Sequence, residues 1–377
     1  MTQDLPSRLS PLDAFHRDRG AKMADFGGWM MPIEYPGENG GVLAEHRAVR
    51  ERVGIFDVSH LGKASVSGDG AAEFLNAVLS NDLESISDGQ AQYNFLLDER
   101  GGVVDDLIVY RKSSSDLFMI PNASNTSEVV TRIQAQAPSS ITVKNLHLDF
   151  AVFAVQGPNS LELLRASGFD ESISKLEYMS FARLEWEGVP VILCRTGYTG
   201  EFGFEAVIPV QDKGEKSAWK LWQSLVENLA HFGGAVAGLG ARDTLRTEMG
   251  YPLHGQDLSL EINPVEASAS WAVGWKKPHF NGRDALLAIK EQGALRKSFA
   301  LKVSDRGIPR QGMTVMRDGQ KIGSITSGTF SPTLKTGIAL ALLDPGTKVG
   351  DVVQVDIRGR ISLAEVVKLP FVPSHVR

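Results

Sequence analysis

Residues 101–110 read Gly-Gly-Val-Val-Asp-Asp-Leu-Ile-Val-Tyr, which sets two adjacent carboxylates inside an apolar, β-branched run. An unpaired charge buried there costs several kcal/mol or more, so each acid must be hydrogen-bonded, paired or protonated. A ligand-contacting role fits; so does an Asp that bonds a turn backbone while its neighbour meets solvent. Strand alternation places Asp105 with Val103, Leu107 and Val109, and Asp106 with Val104, Ile108 and Tyr110. On that expectation the two acids do not serve one site as a pair. A second carboxylate, Glu205, lies two residues after Gly203 on a strand whose other face is Phe202, Phe204, Ala206 and Ile208. The glycine leaves space above the carboxylate for a flat ligand edge, unless it marks a bulge beside a solvent-facing glutamate. The third candidate is Arg242, in the first turn of a helix opened by Gly238-Leu-Gly240. A cation there opposes the positive end of the helix dipole and calls for an anionic or polar partner: Asp243, Glu248 or a ligand.

These side chains need elements to hold them. A helix is expected over 12–20, and another over 41–53, with Leu43, His46, Val49 and Val53 on one face and Gly54 as its cap. His46 beside that stripe reads as a satisfied structural histidine. Asp69 is placed to cap a helix carrying Ala72, Leu75 and Leu79. Strands 93–97 and 103–110 flank Asp98-Glu-Arg-Gly-Gly102, a glycine-containing hairpin turn, and a turn at 113–116 leads into strand 117–120. The acidic strand is therefore central in a meander. A helix over 124–137 and a strand over 141–148 complete an α+β unit. Beyond it come strand 150–155, helix 159–166, strands 189–195 and 202–208, and a helix over 216–232 whose Trp219, Trp222, Leu225, Val226 and Leu229 read as core. A charged helical segment over 276–297 leads to a strand-rich end with a hairpin at Asp318-Gly319 and alternating Val353, Val355 and Ile357, a small barrel or sandwich.

With 377 residues the chain exceeds one hydrophobic core, and two or three domains are expected. A net charge of −6 gives no reason to expect nucleic-acid binding. The one cysteine, Cys194 in Val-Ile-Leu-Cys-Arg, excludes an intrachain disulfide and reads as strand packing in a reducing compartment. No stretch approaches the ~18 apolar residues of a membrane span, and the opening Met-Thr-Gln-Asp-Leu-Pro is unlike a signal peptide, so a cytoplasmic protein is expected. No phosphate-loop glycine-lysine motif or His-Glu-x-x-His is present, and the eight histidines lack metal-ligand spacing, so no metal is expected. Gly238-Leu-Gly240 lacks the third glycine of a dinucleotide fingerprint. Ser59-His60, read as strand neighbours, point apart and form no nucleophile pair.

Seven segments in order carry a family resemblance: Phe26-Gly-Gly-Trp-Met-Met-Pro32, Phe56-Asp-Val-Ser-His60, Gly101-Gly-Val-Val-Asp-Asp-Leu107, Gln156-Gly-Pro158, Arg195-Thr-Gly-Tyr-Thr-Gly-Glu201, Gly238-Leu-Gly-Ala-Arg-Asp243 and Ile325-Thr-Ser-Gly-Thr-Phe-Ser-Pro332. Over nearly its whole length the chain resembles the aminomethyltransferase, or T-protein, family of the glycine cleavage system. The resemblance implies an α+β, three-domain folate-binding cloverleaf with a C-terminal β-barrel-like domain. Residues 1–55 and 148–275 would form the central folate-binding domain, 56–147 the α+β domain with the acidic strand, and 276–377 the barrel. It implies tetrahydrofolate as acceptor and a lipoylated H-protein as partner, with functional links to the glycine decarboxylase and dihydrolipoyl dehydrogenase components. Ammonia would be released and 5,10-methylenetetrahydrofolate formed. By position, Asp106 matches the key acid, Glu205 the pterin-edge carboxylate, Tyr198 a pocket aromatic, Arg242 the folate-side arginine and Asn122 the pocket asparagine; Tyr93 and Trp271 join the folate-contacting set. The chain departs from the pattern at Leu61, where members often carry Met, and at its end, Ser-His-Val-Arg377, which lacks the tyrosine of some members. The alternatives are a folate-binding regulatory protein without transfer and a folate-dependent demethylase of a sulfonium or N-methyl donor.

Overall fold

The computed structural model describes residues 7–37, 40–212 and 216–377. Met1–Pro6, read above for a targeting signal, lies outside the described residues. Strand β1 (Arg8–Leu9), helix α1 (Asp13–Asp18), β2 (Lys22–Phe26) and β3 (Trp29–Glu34) lead into α2 (Val42–Glu51) and β4 (Gly54–Asp57), with β1, β3 and β2 forming a small sheet. Gly54 is not the cap of α2 but the first residue of β4. A Cβ on Gly54 would stand 2.4 Å from Val49, so the glycine is there because the strand leaves the helix at close range. Ser59 and His60 sit in the turn after β4 rather than on a strand.

Strand β5 (Ala64–Gly68), helix α3 (Ala71–Val78), β6 (Gln90–Leu97), β7 (Val103–Ser113), β8 (Asp116–Ile120), α4 (Thr126–Gln136) and β9 (Ile141–Asn145) make a sheet of order β6-β7-β8-β5-β9. The acidic strand β7 lies between β6 and β8, as the meander predicts. Its hairpin turn is held by Asp98, whose Oδ1 accepts the N–H groups of Arg100 (2.9 Å) and Gly102 (2.8 Å). Asp69 does not cap α3: Gly70, left-handed at φ 81°, precedes the helix, and no side chain caps it. Strand β9 stops three residues short of the expected end, where the Asn145 Oδ1 accepts the His147 N–H.

Strand β10 (Phe150–Gln156), α5 (Ser160–Ala166), β11 (Phe181–Trp186), β12 (Val189–Cys194), β13 (Gly203–Pro209), α6 (Ser217–Leu229), β14 (Ala235–Val236) and α7 (Leu239–Met249) follow. The sheet they build with β4 has the order β11-β12-β13-β10-β4-β14. Edge strand β11, which the sequence reading missed, alternates exposed Arg183 region residues with buried ends. One face of this sheet packs on α5 and α6 through Phe153, Phe204, Ala206, Ile208 and Trp222. Trp219, expected in that core, is 37% exposed. The other face meets the five-stranded sheet, with Val152, Ala154 and Val207 against Tyr110 and Phe118. Helix α8 (Arg283–Gln292) buries Leu286 against Phe95, Leu97 and Val103 under the acidic hairpin. Strands β15 (Lys297–Val303), β16 (Thr314–Arg317), β17 (Gln320–Ser331), β18 (Thr336–Leu343), β19 (Val352–Ile357) and β20 (Arg360–Val367) close into a barrel. Asp318 (φ 51°) and Gly319 (φ 75°) supply the left-handed turn that the β16–β17 hairpin requires.

Candidate functional site

Pairing between β6 and β7 runs regularly from Gln90↔Arg111 to Leu96↔Asp105, then shifts so that Leu97 opposes Val103 and Val104 is the extra residue. This bulge reverses the parity of the strand start. Val104 joins Leu107 and Val109 in one core, while Val103 packs in another, contrary to the simple alternation. Pairing with β8 ends at Ile108↔Ile120, which leaves the strand edge beside Asp105 and Asp106 open. Asn122 lies along it. Its Nδ2 is 2.9 Å from Asp105 Oδ1, 2.9 Å from Asp106 Oδ1 and 2.9 Å from the Asp106 carbonyl. The two carboxylates are nevertheless not independent: one amide joins them.

Asp106 is half-buried, and its Oδ2 accepts the Tyr93 hydroxyl at 2.7 Å. The Tyr93 ring stacks on Trp271 at 5.4 Å and 22°, and Trp271 is 69% exposed, at the rim. Burial pushes the Asp106 carboxyl above the usual range, against the pull of Tyr93, His254 and Asn122. Burial and the adjacent Asp106 raise Asp105 to about 7. Tyr93 is raised far above an ordinary phenol, first by burial and then by the charge of Asp106, so it stays a donor.

Glu205 occupies the middle of β13 at 5% exposure, and its Oε2 accepts the Thr196 hydroxyl at 2.5 Å. The space expected above Gly203 is already filled. A Cβ there would lie 2.5 Å from Gln156 Nε2, and that amide donates to the Thr196 and Phe204 carbonyls at 3.1 Å each. Gly203 thus admits a neighbouring side chain of the sheet, not a ligand. Thr196 begins the loop that carries Tyr198, whose hydroxyl donates to the Pro252 carbonyl and whose ring stacks on Tyr251 at 5.7 Å. The Arg242 guanidinium lies over the Tyr198 ring, 4.8 Å from its centroid. Neither protein partner anticipated for Arg242 serves it. Asp243 binds Arg246 at 2.7 Å, and Glu248 binds Arg50 at 2.8 Å. Arg242 Nη1 is sealed from solvent with no hydrogen-bond partner among the described residues, and the same holds for His60 Nδ1. Burial and the positive charge of Arg242 depress His60 to about 3, so its imidazole is neutral.

The two halves form one array: the charge of Asp106 raises both Tyr93 and Tyr198, and Glu205 and Tyr198 both act to raise Arg242 against its burial. The structure thus brings together Asp106, Asn122, Tyr93, Trp271, Tyr198, Arg242 and Glu205. Sequence reasoning singled out Asp105 and His60 without giving either a place in the site, and it missed Asn125, His254 and Thr196; of these three only Asn125, three residues after Asn122 at the start of α4, carried a local signal. His46 is structural, with Nδ1 at 2.9 Å from Thr244 and Nε2 at 3.3 Å from Glu248.

An α+β body of three open sheets with a closed barrel, carrying carboxylates, an arginine and stacked aromatics, defines a transferase class. Residues 12–277 match the family described as GCVT N-terminal domain, and residues 296–373 match the glycine cleavage T-protein C-terminal barrel domain. The chain is 57% identical to the aminomethyltransferase of Parafrankia sp. (strain EAN1pec), over 98% of this chain and 99% of that one. It is 48% identical to that of Mycobacterium tuberculosis (strain ATCC 25618 / H37Rv), over 99% and 100%. The crystal structure of glycine cleavage system aminomethyltransferase T from Bartonella henselae superposes with a TM-score of 0.89 at 32% identity, covering 98% of this chain and 99% of that one. The chain belongs to the glycine cleavage T-protein family, and its activity is aminomethyl transfer. Among the described residues no helix is long and apolar enough to cross a membrane.

Proposed function

We propose that the array from Asp106 to Glu205 binds tetrahydrofolate and passes to it the one-carbon unit of an aminomethyl group carried on the lipoyl sulfur of a partner H-protein. The single observation that carries the ligand assignment is Arg242 Nη1, buried without a hydrogen-bond partner among the described residues, beside Tyr198 and under the charge of Glu205. A buried charged donor left unpaired is costly, and a polar ligand edge relieves it. The residues fit a reduced pterin: Glu205 would accept from its amino group and ring N–H, Arg242 would donate to the ring heteroatoms, and Tyr198 would face the ring. Tetrahydrofolate supplies two amine nitrogens as nucleophiles.

Asp106, held by Tyr93 and Asn122, orients the attacking amine and stabilises the positive charge that develops on carbon as its bond to sulfur breaks. Two C–N bonds form while the C–S and C–N bonds of the aminomethyl group break. The two displaced amine protons end on the lipoyl thiol and on ammonia, so no oxidant is needed. The exposed Trp271, stacked on Tyr93, stands where an arm from outside would enter. The reading places the protein in the cytoplasm with the H-protein and, through it, the glycine decarboxylase and dihydrolipoyl dehydrogenase components.

The test is Asp106→Asn in an assay of ammonia release from aminomethyl-loaded H-protein with tetrahydrofolate. Turnover is expected to fall about 100-fold or more, as for loss of a transition-state electrostatic group, with folate affinity within about threefold. Undiminished turnover would remove Asp106 from the chemistry.

A further inference from the structure

Asp105 is wholly buried, and the ligand-facing role given to Asp106 leaves it without a task. Three N–H donors converge on it: the Asn122 backbone at 3.0 Å from Oδ2, and the Asn122 and Asn125 amides at 2.9 and 2.7 Å from Oδ1. A protonated carboxyl would need an acceptor for its hydrogen, and every described partner is a donor. The surroundings therefore select the ionised form, against the burial that raises the group. The second hydrogen of the Asn125 amide points to His254 Nδ1 at 3.0 Å, and His254 Nε2 lies 3.0 Å from the Val103 carbonyl. A carbonyl only accepts, so Nε2 carries the hydrogen and Nδ1 accepts. The chain of bonds fixes a neutral His254 and returns to the acidic strand two residues before Asp105.

We infer that Asp105 is a positioning residue for the transfer reaction: an ionised carboxylate out of ligand reach, held by Asn122, Asn125 and His254, whose charge acts on Asp106 through the amide they share. The inference rests on the reading of Asp106 as the group facing the reacting carbon. A like charge so close strengthens the hold of Asp106 on a proton or on a cationic centre. The titratable groups around the pair are Tyr93 from β6, Tyr198 from the loop after β12, and His254. Both phenols are raised and remain neutral, and the hydrogen bonds of His254 hold it neutral, which leaves the two carboxyls to change charge.

The sign of the effect follows. Turnover is lost as pH falls and Asp106 takes up its proton, and the charge of Asp105 sets that limb at higher pH. In Asp105→Asn the acid limb of kcat is expected to move about one unit lower, with the plateau about tenfold lower and the KM for tetrahydrofolate within about twofold. Asn125→Ala removes one donor, so Asp105 takes up its proton at higher pH; its tenfold contribution to the plateau is lost from that point downward, and the profile begins to fall at higher pH. Opposite shifts in the two variants are the expected result. A loss of kcat in both with an unmoved limb would make the cluster structural support and overturn the inference. If Asp105→Asn does not fold, the limb of Asn125→Ala decides alone. Full activity in Asp106→Asn would instead overturn the reading of the site itself, which separates the two failures.

Discussion

Replacing Glu205 by glutamine isolates its charge. The amide has the same volume and its oxygen can still accept the Thr196 hydroxyl now at 2.5 Å, so the centre of β13 keeps its packing and no cavity opens. What changes is toward the ligand. A carboxylate meets two parallel donors of a pterin edge with two acceptors, whereas the amide meets one of them with an N–H, donor against donor. Hydrogen bonds to charged groups contribute about 1.5–3 kcal/mol, so the dissociation constant of tetrahydrofolate should rise about 10- to 150-fold. Loss of attraction to Arg242 should lower the thermal midpoint only slightly, because that guanidinium also rests on Tyr198. Anaerobic isothermal titration of tetrahydrofolate into both proteins measures the first effect, and a melting curve checks the second. Affinity within twofold of wild type in a folded variant would refute Glu205 as the ligand's partner and, with it, the orientation given to the ring.

Further outcomes follow from the same geometry. Tyr93→Phe removes the 2.7 Å hydrogen bond that helps keep Asp106 ionised, so the acid limb of the kcat profile should shift to higher pH and kcat should fall about tenfold; an unmoved profile would show the bond idle. Burial would raise Glu248, yet His46, Ser331 and Arg50 hold it down at about 2. A depressed carboxyl stabilises the fold above its unfolded value, about 4.3, and that stability is lost as pH falls towards 2, so Glu248→Gln should cost about 3 kcal/mol at pH 7. Urea unfolding should show the gap between wild type and variant closing near pH 3. Gly203→Ala would set a Cβ 2.6 Å from the Val155 carbonyl as well as against Gln156, and about 1–3 kcal/mol of stability should be lost in the same measurement; a neutral effect would mean that β10 and β13 can part.

Local grammar carried much of the fold. The Asp98–Gly102 turn, the Asp318-Gly319 hairpin and the inward face of β13 depend on residues near one another in the chain, and the structure contains all three. Gly54 and Asp69 were misread because each sits where two elements meet, and the close approach of β4 to Val49 has no local signature. Of the seven expected site residues, Asp106, Tyr198 and Arg242 lie within the ordered motifs, while Asn122, Tyr93 and Trp271 were named only by position in the resemblance; periodicity could not say that the seven converge.

The sequence by itself determined most of the helices and strands, β11 and the small N-terminal sheet excepted, that the acidic strand is central, and which residue types are available for chemistry, because backbone preference and apolar periodicity act over a few residues. Tertiary structure alone decided how those residues are used. Pairing with β6 placed the bulge at Val104, and the end of the β8 ladder let Asn122 join two acids on opposite faces. Gln156, 47 residues before Gly203 in sequence and opposite it in register, took the space over Gly203. Arg50 and Arg246 claimed the carboxylates nearest Arg242 in the chain, leaving its Nη1 without a hydrogen-bond partner among the described residues. Each outcome is a competition among partners distant in the chain, settled only when burial makes every unpaired polar group costly.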